Sequence, residues 1–230
     1  MSKFHLDNKT ARLVVLQRIE LASILLKKIR KLFGRYIFGN YILRFFLDKK
    51  SIEKKYYLLM ETELKLLEKY ISFNNRKILS IGGGVGGLES LIGKKFDCTI
   101  NFIEKNYTSK KVKYGWDKNN NEAYNDLSVL KKFLLENSMS QEKFKIYDYD
   151  HDTLPNKKFD IIISLYSLDY HYDFDIYAEY LKKVSNNQTI LVFDTIKPEF
   201  YKKIFYKVKV IKLDEQTVHM SKRIMCSSFI

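Results

Sequence analysis

A doubly wound α/β fold is what this sequence predicts: a mostly parallel, seven-stranded sheet with an antiparallel edge strand, preceded by an N-terminal helical extension. Three observations carry that expectation. Short apolar, β-branched runs alternate with helix-patterned segments from residue 77 to residue 193, as parallel strands joined by crossover helices do. The first of these runs, Lys77-Ile78-Leu79-Ser80-Ile81, breaks into Gly82-Gly83-Gly84-Val85-Gly86-Gly87 and then Leu88-Glu89-Ser90-Leu91. That is a strand, a glycine turn and the start of a helix. Two further strand-like runs, 207–213 and 218–225, flank Asp214-Glu215-Gln216 near the end of the chain and read as an antiparallel pair. The arrangement is Rossmann-like.

The elements follow in order. Residues 1–75 read as a basic helical extension and 76–230 as the α/β domain. In the extension, Leu13, Leu16, Ile19, Ile24 and Ile29 interleave with Arg12, Arg18, Lys27, Lys28, Arg30 and Lys31, a helical spacing. Gly34 and Gly39-Asn40 are the expected breaks, and a further helix is expected over 52–72. After the glycine turn, Cys98–Ile103 reads as a second strand ending in Glu104, and Glu122–Glu136 as a helix. Phe144–Tyr147 is a third strand ending in acids, and Asp160–Ser164 a fourth. Ile176–Val184 is a helix and Thr189–Phe193 a fifth strand. The two prolines, Pro155 and Pro198, fall between elements.

Composition bounds the function. A 230-residue chain that is 46% hydrophobic can bury a full core. Cys98 and Cys226 are far apart and lack ligand spacing, which argues against a disulfide scaffold or a structural zinc site and leaves buried thiols. A reducing cytoplasm is the expected compartment. The net charge of +14 points to anionic partners or to the Lys-, Asn-, Ile-, Tyr- and Phe-rich usage of an A/T-biased genome. More than half of that charge falls within residues 1–55. Residues 1–50 could therefore lie on the inner face of an anionic membrane, meet another partner, or form helices that cap the domain with a solvated basic face. No run approaches the roughly 18 apolar residues of a membrane span, and no secretory signal is evident.

The glycine turn is the expected cofactor cradle. Glycine permits positive φ and close approach of a ligand, and a helix N-terminus offers unpaired N–H groups. Glu104 lies about 20 residues beyond the first glycine, at the end of the next strand, where an acid accepts hydrogen bonds from ribose hydroxyls. The spacing suits two grammars. Gly82, Gly84 and Gly87 satisfy the dinucleotide pattern G-x-G-x-x-G, whereas Gly82, Gly84 and Gly86, with Gly83 inside the turn, satisfy G-x-G-x-G.

Asp150-His151-Asp152-Thr153-Leu154-Pro155, followed by Phe159-Asp160-Ile161-Ile162-Ile163-Ser164, resembles the third-to-fourth-strand region of class I S-adenosylmethionine (SAM)-dependent methyltransferases. The resemblance spans about residues 76–195. It implies SAM as cofactor, Asp150 on the adenine amino group, the His151 backbone amide at the ring, and a final reversed strand. One departure is Ser80, where the family usually has an acid that holds the methionine ammonium or orders the turn; Glu89 or carbonyls near Ser164 could take over that task. A narrower likeness, through Tyr114-Gly115-Trp116, Glu122-Ala123-Tyr124-Asn125 and Ser164-Leu165-Tyr166-Ser167-Leu168-Asp169-Tyr170-His171-Tyr172, is to bacterial sugar and small-molecule O-methyltransferases.

Transfer of a methyl group to a hydroxyl needs a base for the hydroxyl proton and close positioning of the reactants. His171 is the expected base, oriented by Asp169 or Asp173, with Tyr172 beside it as a further catalytic candidate. Tyr170, Tyr114 and Trp116 are expected to hold the acceptor, since aromatic faces stack on sugars or bases. The acids Asp148, Asp150 and Asp152 with His151 also invite a hard divalent ion, but their positions do not match a metal-dependent pattern, and no metal is assigned. The expected function is SAM-dependent O-methylation of a sugar or another small polar acceptor. The rivals are an RNA methyltransferase, an NAD-dependent oxidoreductase and a non-catalytic SAM-fold binding protein.

Overall fold

A computed structural model describes residues 3–106, 125–169, 173–213 and 220–230. By compactness the chain forms two units. One joins residues 1–72, 84–95 and 105–141; the other joins 73–83, 96–104 and 142–230.

The second unit carries the sheet. Its strands are β1 (Arg76–Ile81), β2 (Cys98–Glu104), β3 (Phe144–Asp148), β4 (Ile161–Ser164), β5 (Ile190–Thr195), β6 (Phe205–Leu213) and β7 (Lys222–Phe229). Their spatial order is β3-β2-β1-β4-β5-β7-β6. The first five are mutually parallel. β7 runs antiparallel to both β5 and β6. The reversed strand therefore sits one place in from the edge, and β6 forms the edge itself. β7 also starts four residues later than the sequence pattern suggests. Its register is set by Arg223 opposite Asp194 and by Ile224 and Cys226 opposite Phe193 and Leu191, which puts the apolar pair into the core.

The strands are buried on both faces, which is why they read as continuous apolar runs. One face, through Leu79, Ile81, Ile103, Ile162, Leu191, Phe193, Ile224 and Cys226, packs on Phe174, Tyr177, Leu181, Val184 and Tyr201. These come from the start and body of α7 (Asp175–Val184) and from α8 (Pro198–Tyr201). Phe174, Phe193, Tyr201 and Phe205 meet mostly edge-on, with centroids 4.8–6.4 Å apart. On the opposite face Ile78, Ile100, Phe102, Ile161, Ile163 and Val192 are equally buried.

The first unit is helical. α1 (Asn8–Gln17) is capped by Asp7, whose carboxylate accepts from the Thr10 N–H at 2.7 Å. α2 (Ile24–Ile37) kinks at Gly34, which takes φ 72 and ψ 171, a left-handed conformation that a side chain disfavours. The second expected break does not occur. Gly39 lies inside a π-type turn, Phe38–Ile42, that carries the chain on into α3 (Leu43–Phe46). α4 (Lys49–Glu68) is capped by Asp48 on the Ser51 N–H at 3.1 Å. α5 (Gly87–Lys95) follows the glycine turn. α6 starts at Leu127, later than the helical pattern suggests, because Asp126 takes a cap conformation and accepts from the Ser128 and Val129 N–H groups.

The chain before α1 is clasped to its unit by specific bonds. His5 and Asn137 exchange hydrogen bonds at 2.8 and 3.0 Å. Lys9 meets Asp126 at 2.6 Å and Lys132 meets Asp7 at 2.5 Å. Glu53, buried on α4, accepts from Lys3 at 3.0 Å and from the Leu6 N–H at 3.3 Å. Phe4 sets its ring against Tyr56 and Phe133 at 5.3 and 5.1 Å.

Candidate active site

In the sheet unit the parallel strands bring their carboxyl ends to one edge. β1 is flanked there by β2 on one side and β4 on the other. That reversal of strand order is where ligands bind in open α/β sheets. Gly82 leaves β1 with φ 66, and its N–H donates to the Ile103 carbonyl at 3.1 Å. The turn is thereby pinned one residue before Glu104, which is 4% exposed and stands in register with Asp148. A Cβ on Gly82 would lie 1.9 Å from the Ser167 Oγ, so the loop after β4 packs directly on this glycine. Ser80 is fully buried, level with Phe102 and Ile163 on the neighbouring strands.

Beyond β3 the backbone folds into a tight acidic turn. The Asp150 N–H donates to the Asp148 carboxylate at 3.1 Å, and the Asp148 N–H donates to the Asp152 carboxylate at 2.8 Å. The His151 N–H donates to the Asp148 carbonyl at 3.3 Å. Asp150 and His151 are themselves exposed. Among the described residues no group of three or more His, Cys, Asp or Glu is placed to hold a metal ion.

The loop after β4 is strained and firmly held. Tyr166 and Asp169 both adopt positive φ, at 55 and 56, a conformation costly for non-glycine residues that persists only where surroundings enforce it. Three contacts do so. Ser164 Oγ donates to the Ile81 carbonyl at 2.8 Å and accepts from the Leu168 N–H at 2.9 Å, so this hydroxyl is committed to the backbone. Asp194 accepts from the Tyr166 N–H at 2.9 Å. The Asp169 carboxylate, 2% exposed, accepts from Thr195 Oγ1 at 2.5 Å and pairs with Lys197 at 3.1 Å. Tyr170, His171 and Tyr172 lie outside the described residues, as do Tyr114 and Trp116.

Sequence reading missed the pair behind this loop. Arg223 and Asp194 are 0% and 1% exposed and form a two-pronged ion pair, Nε to Oδ1 and Nη2 to Oδ2, both at 3.1 Å. The Tyr166 ring lies 5.3 Å from the guanidinium. The one charge of the β5 run, Asp194, and the Lys222-Arg223 pair that opens β7 were the available signal.

In the helical unit the rest of the glycine turn is enclosed by protein side chains. Gly84 and Gly86 take φ 66 and 81. The Val85 N–H donates to Gln17 Oε1 at 3.2 Å, and Gln17 Nε2 reaches Asn125 Oδ1 at 3.5 Å. Asn125 Nδ2 donates to the Gly84 carbonyl at 3.0 Å. At the start of α5 the Gly87 N–H donates to the Tyr56 hydroxyl at 3.1 Å. A Cβ would fall 2.6 Å from Gln17 Oε1 at Gly84 and 2.4 Å from the Tyr56 hydroxyl at Gly87. Burial pushes the Tyr56 hydroxyl's pKa up; Arg18 opposes this and the carboxylate of Glu89 adds to it. Glu89 is 3% exposed in the first turn of α5. Neither Gln17 nor Tyr56 carries a motif that marks it in the sequence, whereas Asn125 closes the quoted Glu122-Ala123-Tyr124-Asn125 stretch.

No family model matches the chain, and no curated protein matches it. Among solved structures it is similar to a 16S rRNA N2 methyltransferase from T. thermophilus in complex with AdoMet and guanosine, at 15% identity over 75% of this chain and 42% of that one, with a TM-score of 0.48. It is also similar to precorrin-6y C5,15-methyltransferase from Geobacter metallireducens, at 13% identity over 73% and 87% of the two chains, with a TM-score of 0.47. A third is a SAM-dependent methyltransferase from Thiobacillus denitrificans in complex with S-adenosyl-L-homocysteine, at 11% identity over 68% and 50%, with a TM-score of 0.41. The chain thus spans less than two thirds of the length of the first and third. These are likenesses of chain course, and no activity or residue role is carried over from them.

Proposed function

We infer that this chain is a SAM-dependent methyltransferase that O-methylates a sugar or another small polar acceptor. The observation that carries the cofactor class is the state of the turn before α5. A dinucleotide places its pyrophosphate on the amides of such a helix N-terminus. Here the Val85 and Gly87 N–H groups are engaged by Gln17 and Tyr56, and a buried carboxylate, Glu89, occupies the first helical turn. That environment repels a phosphate and suits a nucleoside cofactor bearing positive charge and no phosphate. Of the two glycine grammars, the SAM-like one therefore fits these residues better.

The remaining donor set fits the same group. Glu104 is a buried acceptor at the end of β2 for ribose hydroxyls, and Asp150 an exposed acceptor after β3 for an adenine amine. Gly82, Gly83, Gly84 and Gly86 supply the close backbone, and the loop after Ser164 borders the strand edge. When bound, the cofactor supplies an electrophilic methyl group. His171 is the proposed base for the acceptor hydroxyl. Asp169, locked to Thr195 and Lys197, anchors the segment that carries it. In this reading Asp169 positions the base and takes no proton. Tyr114, Trp116, Tyr170 and Tyr172 are the proposed acceptor contacts. The sugar or small-molecule acceptor rests on the resemblance of residues 164–172 to O-methyltransferases.

Titration calorimetry tests the cofactor class. SAM or S-adenosylhomocysteine should bind and raise the melting temperature by mass action. Glu104→Ala should weaken that binding by about 1–3 kcal/mol, the effect of losing hydrogen bonds to a charged group. Binding of NAD in preference to SAM would overturn the reading.

A further inference from the structure

Helix α2 carries an apolar stripe that its own unit leaves bare. Leu25, Ile29, Leu32 and Phe33 recur at helical spacing, and of these only Ile29 is half-buried. In α4, the same kind of stripe (Ile52, Tyr56, Met60, Leu64 and Leu67) is buried to 5% exposure or less. In α2, Leu25 is 67% exposed, Leu32 78%, Phe33 50% and the neighbouring Ile24 74%. The bare apolar surface continues past the Gly34 kink, with Tyr41, Phe45 and Phe46 at 57, 76 and 69%. Contiguous exposed apolar surface of this kind marks an interaction site.

Charge identifies the occupant. From Leu21 to Leu47 there is no acidic residue, whereas Lys27, Lys28, Arg30, Lys31, Arg35 and Arg44 are all basic. At 100° per residue Lys27, Arg30 and Lys31 fall on the arc opposite Leu25, Ile29 and Phe33, while Lys28 borders the apolar arc. A helix of 14 residues is too short to cross a bilayer. Among the described residues no helix is long and apolar enough to do so. We propose that α2 and α3 lie in the plane of an acidic lipid surface. Leu25, Leu32, Phe33, Phe45 and Phe46 enter the acyl boundary, and the flanking lysines and arginines meet the lipid phosphates. A second copy of this chain would set one cationic face against another. A nucleic acid would use the cations and leave the aliphatic side chains wet.

The test uses the whole chain and vesicles of phosphatidylcholine, alone or with about 30% phosphatidylglycerol, a lipid that supplies the negative surface potential. Co-sedimentation should require the acidic lipid and fall as salt rises from about 0.1 to about 0.5 M. Replacing Leu32 and Phe33 by Glu together should cut binding by about 100-fold. Replacing Lys27, Lys28 and Lys31 by Gln should reduce the acidic-lipid component by about 100-fold, from roughly 1 kcal/mol per cation. Leu32→Trp keeps an apolar side chain at an exposed position, and its added fluorescence over the parent protein should shift to the blue with acidic vesicles only. That readout stands even if the Glu variant fails to fold. No binding to acidic vesicles at low salt overturns the proposal, as does undiminished binding of a folded Glu variant. A dimer that the Glu pair splits, or RNA binding lost with that pair while vesicles are ignored, also overturns it.

Discussion

Removing the Asp194 carboxylate would take both prongs of the ion pair from the Arg223 guanidinium, which is wholly buried inside the sheet. Breaking a buried pair from one side costs far more than the pair contributes. Asp194→Ala should therefore destabilise the protein by about 3–5 kcal/mol. It also takes the acceptor from the Tyr166 N–H, which helps hold a residue at positive φ. Asp194→Leu combined with Arg223→Met should recover most of the loss, because apolar replacements of similar volume remove both desolvated charges at once. Urea unfolding at constant slope would measure both variants. A single substitution that costs less than about 1 kcal/mol would mean that water reaches the guanidinium. At this scale the sequence was legible where a residue type has one common use at one position, as with Glu104 closing β2. It was silent on Gln17 and Tyr56, whose importance comes from meeting the glycine turn across long stretches of chain.

α1 is held in its unit largely by carboxylates, which makes its docking sensitive to acid. Burial pushes the Asp7 carboxyl up, but hydrogen bonds from Lys132 and Thr10 outweigh it and hold the group well below the usual carboxylate range. Asp126 is lowered against burial by Lys9 and Ser128, and Glu53 by Lys3 and the Leu6 N–H. A carboxyl with a lower pKa folded than unfolded contributes stability above its unfolded value, about 4. That contribution is lost as the pH falls through the folded values. Hydrogen exchange, corrected for intrinsic rates, should show α1 losing protection below about pH 4, at a higher pH than α7, which has no such clasp. Equal acid sensitivity of the two helices would contradict this. The lysine partners are half exposed, so high salt should weaken the effect. Periodicity located α4, although the stripe Leu13, Leu16, Ile19, Ile24 and Ile29 runs across the break at residues 18–23 that separates α1 from α2. It could not show that the apolar stripe of α2 faces outward, because spacing reports that a face exists and not which way it points.

For the whole molecule, the two cysteines offer a readout of global opening. Burial pushes the Cys98 thiol up to about 11 and the Cys226 thiol up to about 12, so neither forms appreciable thiolate in the native state. A thiol reagent at neutral pH should modify neither until the chain unfolds, and then both together. Fast modification of one alone would reveal local opening of its strand. The seven strands and their alternation with helices were legible in the sequence because buried parallel strands leave apolar runs between polar turns. The placement of the reversed strand was not, since a terminal hairpin fits a sheet in more than one order; beside β5, Arg223 stands opposite Asp194, and Ile224 and Cys226 opposite Phe193 and Leu191. That placement makes β6 the rim of the sheet, and β6 alternates Tyr206, Val208 and Val210 with Lys207 and Lys209 before a register shift between Val210 and Lys212. An unpaired rim is a template for another chain's backbone. Ammonium groups along it and an irregularity in its pleat make a second copy of β6 a poor partner, so this rim resists strand-to-strand stacking between copies of the chain.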